Sequence, residues 1–448
     1  MSPAPPAPAA PEPLCVVGIG ADGWDGLPAA SQEALRTAEV LIGGARQLAL
    51  LPAHVPGERV PWPSPLRPAV PGLLAAHAGR RVCVLASGDP MFYGIGRTLT
   101  EVLAEQEARE AREAPEEQET GGAVAPDGHR PPATRPRLRV LPHPSAVSHA
   151  CARLGWPVED TEVVTLVGRP TDNLARALYD GHRLLVLSAG AGTPAEVAAL
   201  LRARGFGPTR MRVLEQLGGE RERMVRGVAA DWDAPPTDPL NVIALDCVRA
   251  PGTPALATVP GLPDTAYEHD GQLTKRHVRA ATLAALAPAP GELLWDIGGG
   301  SGSIAIEWLR AHRGCRAVSV ERDPVRAERI GRNAGALGVP ALRVVPGAAP
   351  AALAGLPTPD AVFVGGGLTA PGLLAACWEA LPPGGRIVAN TVTLESEALL
   401  TEWYRRHGGD LIRLAVSHAV PVGGFTGWRQ AMPVTQWAAV KPAAGQQP

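Results

Sequence analysis

The segment Leu293–Arg310, LLWDIGGGSGSIAIEWLR, constrains the fold of this chain more than any other. Its apolar start ends in Asp296, three glycines follow at alternate positions (Gly298, Gly300 and Gly302), and apolar residues then recur at helical spacing. This pattern predicts a strand, a tight turn and a helix, which together open a βαβ unit. Glycine is needed in such a turn because the backbone takes positive φ and approaches a ligand closely.

The residues around this turn favour a nucleoside ligand. The next predicted strand, Ala317–Val320, ends in Glu321, whose carboxylate is placed to accept hydrogen bonds from both hydroxyls of a ribose. A dinucleotide fingerprint requires G-x-G-x-x-G, but here the third glycine position is Ser303 and the extra glycine is Gly302. An acidic residue before G-x-G-x-G instead resembles the first motif of class I methyltransferases, which bind S-adenosylmethionine. A dinucleotide site and a structural turn without a ligand stay open as alternatives.

The length, the net charge and the cysteines of the chain limit the number of domains, the kinds of partner and the compartment. At about 150 residues for each domain, 448 residues suggest about three domain-sized units. The 42 basic and 44 acidic residues give a net charge of −2, so no overall field attracts nucleic acid or a membrane. The six cysteines lie far apart, mostly in apolar runs, as expected for buried thiols in a reducing compartment. We therefore expect a cytoplasmic protein.

Alternating strand-like and helix-like runs predict two α/β lobes in the first half, 14–157 and 158–248. We expect residues 1–13 to be a disordered leader and 101–137, rich in glutamate and then in glycine, proline and arginine, to be a disordered insertion. A proline-rich linker, 249–265, leads to a third α/β domain at 266–442 and a short tail at 443–448.

The third domain is expected to be a doubly wound, seven-stranded sheet with a terminal hairpin. After the strands already named, the predicted strands are Leu342–Val345, Ala361–Val364, Arg386–Ala389, Leu411–His418 and Val434–Val440. The segment Gly423–Met432 is predicted to be a loop between the last two.

Two stretches of the chain resemble known families. The C-terminal block resembles the decarboxylating half of the precorrin-6Y C-5,C-15-methyltransferases of cobalamin biosynthesis. The residues that carry this resemblance are Leu273–Arg276, Val278–Ala280, Leu294–Gly298, Ser301–Ser303, Ile306–Glu307, Pro359–Asp360, Gly365–Gly367 and Pro433–Trp437. The N-terminal block is similar to the tetrapyrrole methylases through Val16–Gly20, Ser87–Pro90, Pro144–Ala146, Ser188–Gly190 and Thr193–Pro194. Gly299 and Ser301 depart from the alanine and threonine that are frequent in the first family.

The resemblance implies an enzyme with two methyl transfers from S-adenosylmethionine, at C-5 and C-15 of a precorrin, and loss of CO2 from the C-12 acetate. It also implies an N-terminal cofactor pocket and a homo-oligomer formed through the C-terminal domain. Transfer of a sulfonium methyl group needs no metal, and the sequence has no H-E-x-x-H and no paired C-x-x-C motif, so we expect no metal. The cofactor residues of that pocket would be Gly88, Asp89, Ser145, Ala146 and Ser188. In the C-terminal domain, Lys275, Arg279 and Asp360 would be catalytic. The cofactor residues there would be Asp296, Gly298, Gly300, Gly302, Ser303, Glu321, Gly365 and Gly366.

Substrate carboxylates suit the bidentate fork of arginine. Arg276 and Arg279 flank Lys275, which is one of only two lysines, and Arg429 lies in the predicted glycine-rich loop. These side chains could equally form a solvated helix face and loop. Two other functions stay open: a class I methyltransferase acting on RNA or protein with an N-terminal targeting module, and an NAD-dependent oxidoreductase. The near-neutral charge argues against RNA, and Gly302 with Ser303 argues against NAD.

Overall fold

The computed structural model describes residues 13–113, 138–233, 235 and 237–443. The described residues form two compact units. The N-terminal unit comprises the described parts of 13–167, 183–196 and 209–246, and the C-terminal unit comprises 168–182, 197–208 and 247–443. Nearly all of the predicted leader, most of the insertion and nearly all of the tail lie outside the described residues. The predicted domain bounds at 248 and 266 stay a prediction.

A five-stranded parallel sheet with the order β3-β2-β4-β1-β5 forms the first lobe of the N-terminal unit. Its strands are β1 (Leu14–Ile19), β2 (Val40–Gly43), β3 (Glu58–Pro61), β4 (Val82–Ser87) and β5 (Leu138–Leu141). Its helices are α1 (Ala29–Thr37), α2 (Ala45–Ala49), α3 (Leu66–Ala76) and α4 (Ile95–Glu113). Because parallel strands end at the same edge, the loops after β1, β2 and β4 lie together.

Helix α4 corrects the predicted start of the disordered insertion. We expected disorder from Glu101, but the helix continues to Glu113. Arg97 pairs with Glu101 one turn later, and Arg67 of α3 pairs with Glu101 and Glu105. Such pairs support a glutamate-rich helix that composition alone assigns to a solvated loop.

A mixed sheet with the order β6-β7-β10-β8-β9 forms the second lobe. Its strands are β6 (Glu162–Thr165), β7 (Arg183–Leu187), β8 (Arg210–Glu215), β9 (Arg223–Val228) and β10 (Asn241–Asp246). The helices of this part of the chain are α5 (Ala146–Leu154) and α6 (Thr193–Ala203). The predicted helix at 172–178 is a 3-10 helix, Thr171–Ala177, and it belongs to the C-terminal unit.

The C-terminal unit contains a seven-stranded sheet with the order β13-β12-β11-β14-β15-β19-β16, in which β19 alone runs in the opposite direction to the other six strands. Its strands are β11 (Leu293–Ile297), β12 (Arg316–Glu321), β13 (Arg343–Pro346), β14 (Ala361–Val364), β15 (Arg386–Thr391), β16 (Asp410–Leu414) and β19 (Val434–Val440). Its helices are α7 (Arg276–Leu286), α8 (Ser303–Ala311), α9 (Pro324–Ala336), α10 (Leu373–Ala380) and α11 (Leu394–His407). This is the predicted doubly wound fold.

The terminal hairpin differs from its prediction. The expected strand Leu411–His418 is two strands, β16 and β17 (Ser417–Val422), and the expected loop contains β18 (Phe425–Gln430). Strands β17 and β18 pair with each other, through a turn in which Gly423 has φ +58°, and with no other strand in the described part of the chain. Phe425 and Trp428 of this hairpin are 85% and 78% exposed.

The predicted linker contains no strand and no α-helix within the described residues, and its end forms a short 3-10 helix, Asp264–Ala266. Arg310 of α8 donates hydrogen bonds to the carbonyls of Leu256 and Ala257, which attaches the linker to the C-terminal unit. None of the described helices has the length and apolar character that crossing a membrane requires.

Candidate cofactor sites

The C-terminal candidate site lies at the point where the strand order of the large sheet reverses, between β11 and β14. Ligands of doubly wound folds bind outside the carboxyl ends of the strands at this point. The glycine loop follows β11, and Gly365 follows β14 and donates its N–H to the carbonyl of Ile297 (2.9 Å). The two loops are so close that a Cβ atom on Gly298 would lie 2.9 Å from the backbone nitrogen of Gly366.

Glycine is required at two positions of the first loop. Gly298 and Gly300 have φ of +72° and +59°, a conformation that costs other residues strain. A Cβ atom on Gly300 would also lie 3.2 Å from the carbonyl oxygen of Gln272. The turn therefore presents bare backbone at the edge of the sheet, as the sequence predicts.

Glu321 is the last residue of β12 and lies at the same edge of the sheet as the glycine loop. Its Oε2 accepts the N–H of Gly300 (2.8 Å), and its Oε1 accepts the N–H of Asp323 (2.9 Å). A carboxylate offers about four lone-pair sites, so two remain for a ligand's hydroxyl groups. The backbone hydrogen bonds fix the orientation of the side chain, which suits the predicted contact with a ribose.

Asp296 is the last polar residue before the turn and is 1% exposed. Burial raises its pKa to about 7, and the nearby charge of Glu321 adds to this effect. The hydroxyl of Ser319 donates to its Oδ2 (3.0 Å), and the backbone of Ala305 lies close enough to lower the pKa. Among the described residues, no hydrogen bond of normal geometry reaches Oδ1.

The structure brings eight predicted cofactor residues together at this edge, and the bare backbone and the oriented carboxylate of Glu321 fit an adenosine-type cofactor. These residues are Asp296, Gly298, Gly300, Gly302, Ser303, Glu321, Gly365 and Gly366. Gly302 caps α8, and Ser303 is its first residue. Their individual roles stay predictions.

Asp360 lies at the other end of the sheet. It directly precedes β14, and its carboxylate accepts the N–H of Leu293, the first residue of β11 (2.7 Å). A strand of four residues at about 3.3 Å each separates it from the glycine edge. We therefore assign Asp360 to strand pairing and not to catalysis.

Arg279 does not face the candidate site, because its side chain is fully buried and its guanidinium binds to other groups of the protein. Its Nε donates to Glu307 (2.6 Å), and its Nη atoms donate to Asp264 (3.2 Å) and to the carbonyls of Thr274 and Leu262. The guanidinium carbon lies 4.8 Å from the ring centre of Tyr267. Arg279 therefore joins α7, α8 and the end of the linker instead of facing a substrate.

Lys275, in contrast, is exposed and immediately precedes α7. Three residues before it, Gln272 approaches Gly300 of the glycine loop. Among the described residues no carboxylate lies within salt-bridge distance of Lys275. It thus remains available to a ligand near the loop. Arg429 lies on β18 opposite His418, whose ring centre is 6.1 Å from that of His277 in the first turn of α7.

The N-terminal candidate site is a cavity of about 780 Å³ in the N-terminal unit, lined by residues of both lobes. All five predicted cofactor residues line it: Gly88, Asp89, Ser145, Ala146 and Ser188. The loop after β4 and the start of α5 meet here, since a Cβ atom on Gly88 would lie 3.2 Å from the carbonyl oxygen of Pro144. The hydroxyl of Ser145 accepts the N–H of Ser148 and so caps α5.

Many further residues that line this cavity were not predicted, among them Arg46, Gln47, Trp62, Phe92, Tyr93 and His149. Arg46 and Gln47 follow the Gly43-Gly44 pair after β2. Two glycines after a strand were the available signal, but only the parallel sheet shows that they reach the same edge as Gly88. A separate cavity of about 690 Å³ in the C-terminal unit is lined by linker residues and contains none of the predicted site residues.

Comparison with known proteins identifies the family. Residues 265–441 match the precorrin methyltransferase domain, and residues 13–111 and 133–233 match the tetrapyrrole (corrin/porphyrin) methylases. A precorrin-6Y C(5,15)-methyltransferase [decarboxylating] from Sinorhizobium sp is 46% identical over 428 residues, which are 96% of this chain and 96% of that relative. The chain belongs to this family. Membership confirms the resemblance seen in the sequence and the predicted methyltransferase class.

Two further relatives each match only part of this chain. A cobalt-precorrin-7 C(5)-methyltransferase from Salmonella typhimurium is 31% identical over 49% of this chain and 94% of its own length. A "probable cobalt-precorrin-6B C(15)-methyltransferase (decarboxylating)" from Pyrobaculum calidifontis is 42% identical over 31% of this chain and 72% of its own length. Each is named for one of the two methylations.

Proposed function

We propose that this chain methylates a precorrin at C-5 and C-15 and decarboxylates its C-12 acetate, with S-adenosylmethionine as the methyl donor at both steps. The observation that carries the proposal is the presence of two separate candidate cofactor sites in one chain. Each lies in a segment that matches a methylase model. The near-complete coverage of a relative named for both methylations supports the combination.

In the C-terminal unit, Glu321 would hold the ribose, and the backbone of Gly298–Gly302 would lie against the cofactor with Gly365 and Gly366 opposite. In the N-terminal unit, the loop at Gly88 and Asp89 and the start of α5 would hold the second cofactor. Bound S-adenosylmethionine supplies an electrophilic methyl group. The protein's part is then to hold the substrate carbon in line and to exclude water, because proximity and orientation can supply most of the rate.

We expect the full-length protein to bind two S-adenosylmethionine molecules and to convert a precorrin into a product with two added methyl groups and one CO2 lost. Calorimetry should show that Glu321→Ala weakens one site by about 1.5–3 kcal/mol, since hydrogen bonds to a carboxylate are lost. Mass spectrometry of the product tests the chemistry directly.

The matched control is Glu328→Ala, which removes an exposed carboxylate from the following helix, α9. It should leave both sites unchanged. A single cofactor site in the wild-type protein, or a product without CO2 loss, would contradict the proposal. Methylation of RNA or protein instead of a precorrin would support the alternative function.

Lys275 is the proposed catalytic residue of the C-terminal unit. Its ammonium, which pairs with no carboxylate of the described residues and follows Gln272 at the glycine loop by three positions, would stabilise negative charge that develops on the substrate during decarboxylation. Lys275→Ala should slow C-15 methylation and CO2 release by roughly 10²-fold and leave C-5 methylation unchanged. Lys275→Arg should recover part of the rate. Wild-type CO2 release by the alanine variant would show that Lys275 is only a surface residue before a helix.

We also propose that the protein is a cytoplasmic homo-oligomer that assembles through its C-terminal unit. The exposed aromatic residues Phe425 and Trp428 on the β17–β18 hairpin support this. Large exposed apolar side chains on such a two-stranded hairpin favour a protein partner.

A further inference from the structure

Arg46 occupies a distinctive place in the N-terminal cavity. It lies in the first turn of α2, directly after β2 and the Gly43-Gly44 pair. Because β2 and β4 are parallel neighbours, α2 begins at the edge where Gly88 follows β4. The side chain of Arg46 lines the same cavity as the five proposed cofactor residues.

No carboxylate of the described residues neutralises the charge of Arg46. Its Nη2 donates a hydrogen bond to the hydroxyl of Ser87 (3.0 Å), to which Gln47 Nε2 also donates (2.6 Å). Within the described residues, no carboxylate lies within 4 Å of the guanidinium, and Nε and Nη1 have no hydrogen-bond partner. A serine hydroxyl orients this arginine without supplying a counter-charge.

Burial makes the missing counter-charge significant. Arg46 is half-buried, and desolvation lowers the pKa of its guanidinium, against a weaker opposing effect of Asp238. Asp238 itself is engaged, since its Oδ1 accepts Gln216 Nε2 and the N–H of Leu240 (both 2.8 Å). An arginine that is partly desolvated and unpaired in a cavity is suited to a carboxylate ligand.

The surroundings of Arg46 fit a flat, acidic macrocycle. Trp62, Phe92 and Tyr93 line the cavity, and the last two form an edge-to-face pair with ring centres 5.0 Å apart. Both are substantially exposed (38% and 46%), so their rings have apolar surface available to a ligand. Aromatic surface beside a free guanidinium matches a ring system that carries carboxylate side chains.

We propose that Arg46, oriented by Ser87 and assisted by the amide of Gln47, binds a carboxylate side chain of the tetrapyrrole and positions the ring for C-5 methylation. This inference rests on the proposed function of the N-terminal site. It makes the turn after β2 a determinant of substrate binding, whereas the loop at Gly88 and the start of α5 serve the cofactor.

The test uses the full-length protein and its precorrin substrate, with Arg46→Gln, Arg46→Lys and the control Arg36→Gln. Arg36 is an exposed arginine of α1 outside the cavity. For Arg46→Gln, the KM for the precorrin in C-5 methylation should rise about 10- to 100-fold, because a charge-assisted pair is lost. The kcat should change only a few-fold, and Arg46→Lys should be intermediate, since it keeps the charge but loses the fork.

Two measurements on the same samples separate substrate binding from a structural role. Calorimetric binding of S-adenosylmethionine should be unchanged at both sites, and C-15 methylation with CO2 release should proceed at the wild-type rate. An unchanged precorrin KM in Arg46→Gln would overturn the inference, as would an equal loss of cofactor affinity. Failure of the wild-type protein to methylate C-5 would instead overturn the proposed function, and this inference with it.

Discussion

Replacing Glu307 with alanine should destabilise the C-terminal unit by about 3–5 kcal/mol, because it leaves a fully buried guanidinium without its main counter-charge. Oε1 of Glu307 accepts hydrogen bonds from Arg279 (2.6 Å), the hydroxyl of Tyr267 (2.8 Å) and the N–H of Leu262 (3.0 Å). Oε2 accepts the N–H of Gly261 (2.6 Å). Burial and the charge of Glu307 raise the pKa of the Tyr267 hydroxyl well above its usual value, so the tyrosine stays a donor.

Hydrogen exchange of peptides from α7 and α8, followed by mass spectrometry in the full-length protein, measures this loss in the C-terminal unit alone. The control is Glu268→Ala, which removes a surface pair with Arg332 in which both side chains are about half exposed. Exposed pairs contribute about 0–1 kcal/mol, so exchange should hardly change. A loss below about 1 kcal/mol for Glu307→Ala would show that the buried network does not hold the unit together.

A double variant distinguishes an unpaired charge from lost packing. Arg279→Met with Glu307→Leu removes both charges and keeps apolar volume. It should be less destabilised than the sum of Arg279→Met and Glu307→Leu, since neither charge is left alone. Full restoration is not expected, because Tyr267 and the backbone of Gly261 and Leu262 still lose their acceptor.

This network explains why sequence analysis misassigned Arg279. An arginine beside Arg276 and Lys275 at the start of a helix has the pattern of an exposed basic cluster. Its burial depends on a partner 28 positions later, Glu307, and on the end of the linker folding over it. No local pattern contains that tertiary information.

The glycine loop was predictable because its requirement is local. Positive φ at Gly298 and Gly300 leaves few residue types possible at these positions. The position of Glu321 at the same edge could be predicted from the length of the next strand, which it ends. Asp360 shows the opposite case. The predicted strand Ala361–Val364 already placed Asp360 before the strand. In a parallel sheet, a residue before a strand lies at the edge opposite the glycine loop. The catalytic assignment of Asp360 came from the resemblance.

Arg46 was missed for another reason. Its position in the cavity can be recognised only from the order of the strands in the sheet. Because β2 lies beside β4, Arg46 and Ser87, which are 41 positions apart, form a hydrogen bond in the cavity. The residues on the other side of that cavity, after β4 and before α5, were predicted through the resemblance to the tetrapyrrole methylases.

Asp296→Asn should change how the stability of the C-terminal unit depends on pH. The folded-state pKa of Asp296 is raised to about 7, whereas an unfolded aspartate ionises near pH 4. Between these values the folded state binds one more proton than the unfolded state, so this group makes the wild type less stable as pH rises from about 4 to 7. Above about pH 7 Asp296 is ionised in both states, so its effect on stability no longer changes with pH.

Asparagine carries no charge at any of these pH values and can still accept a hydrogen bond from Ser319. The variant should therefore gain stability relative to the wild type as pH rises, by at most about 4 kcal/mol between pH 4 and 8. Exchange of the β11 peptide, compared between the two proteins at each pH, gives this difference. Asp270→Asn is the matched control, because Arg326 holds the pKa of Asp270 well below its usual range. Asp270 is ionised in both states above about pH 5, so its variant should differ from the wild type by a constant amount there. A constant difference for Asp296→Asn as well would mean that Asp296 is ionised in the folded protein throughout this range.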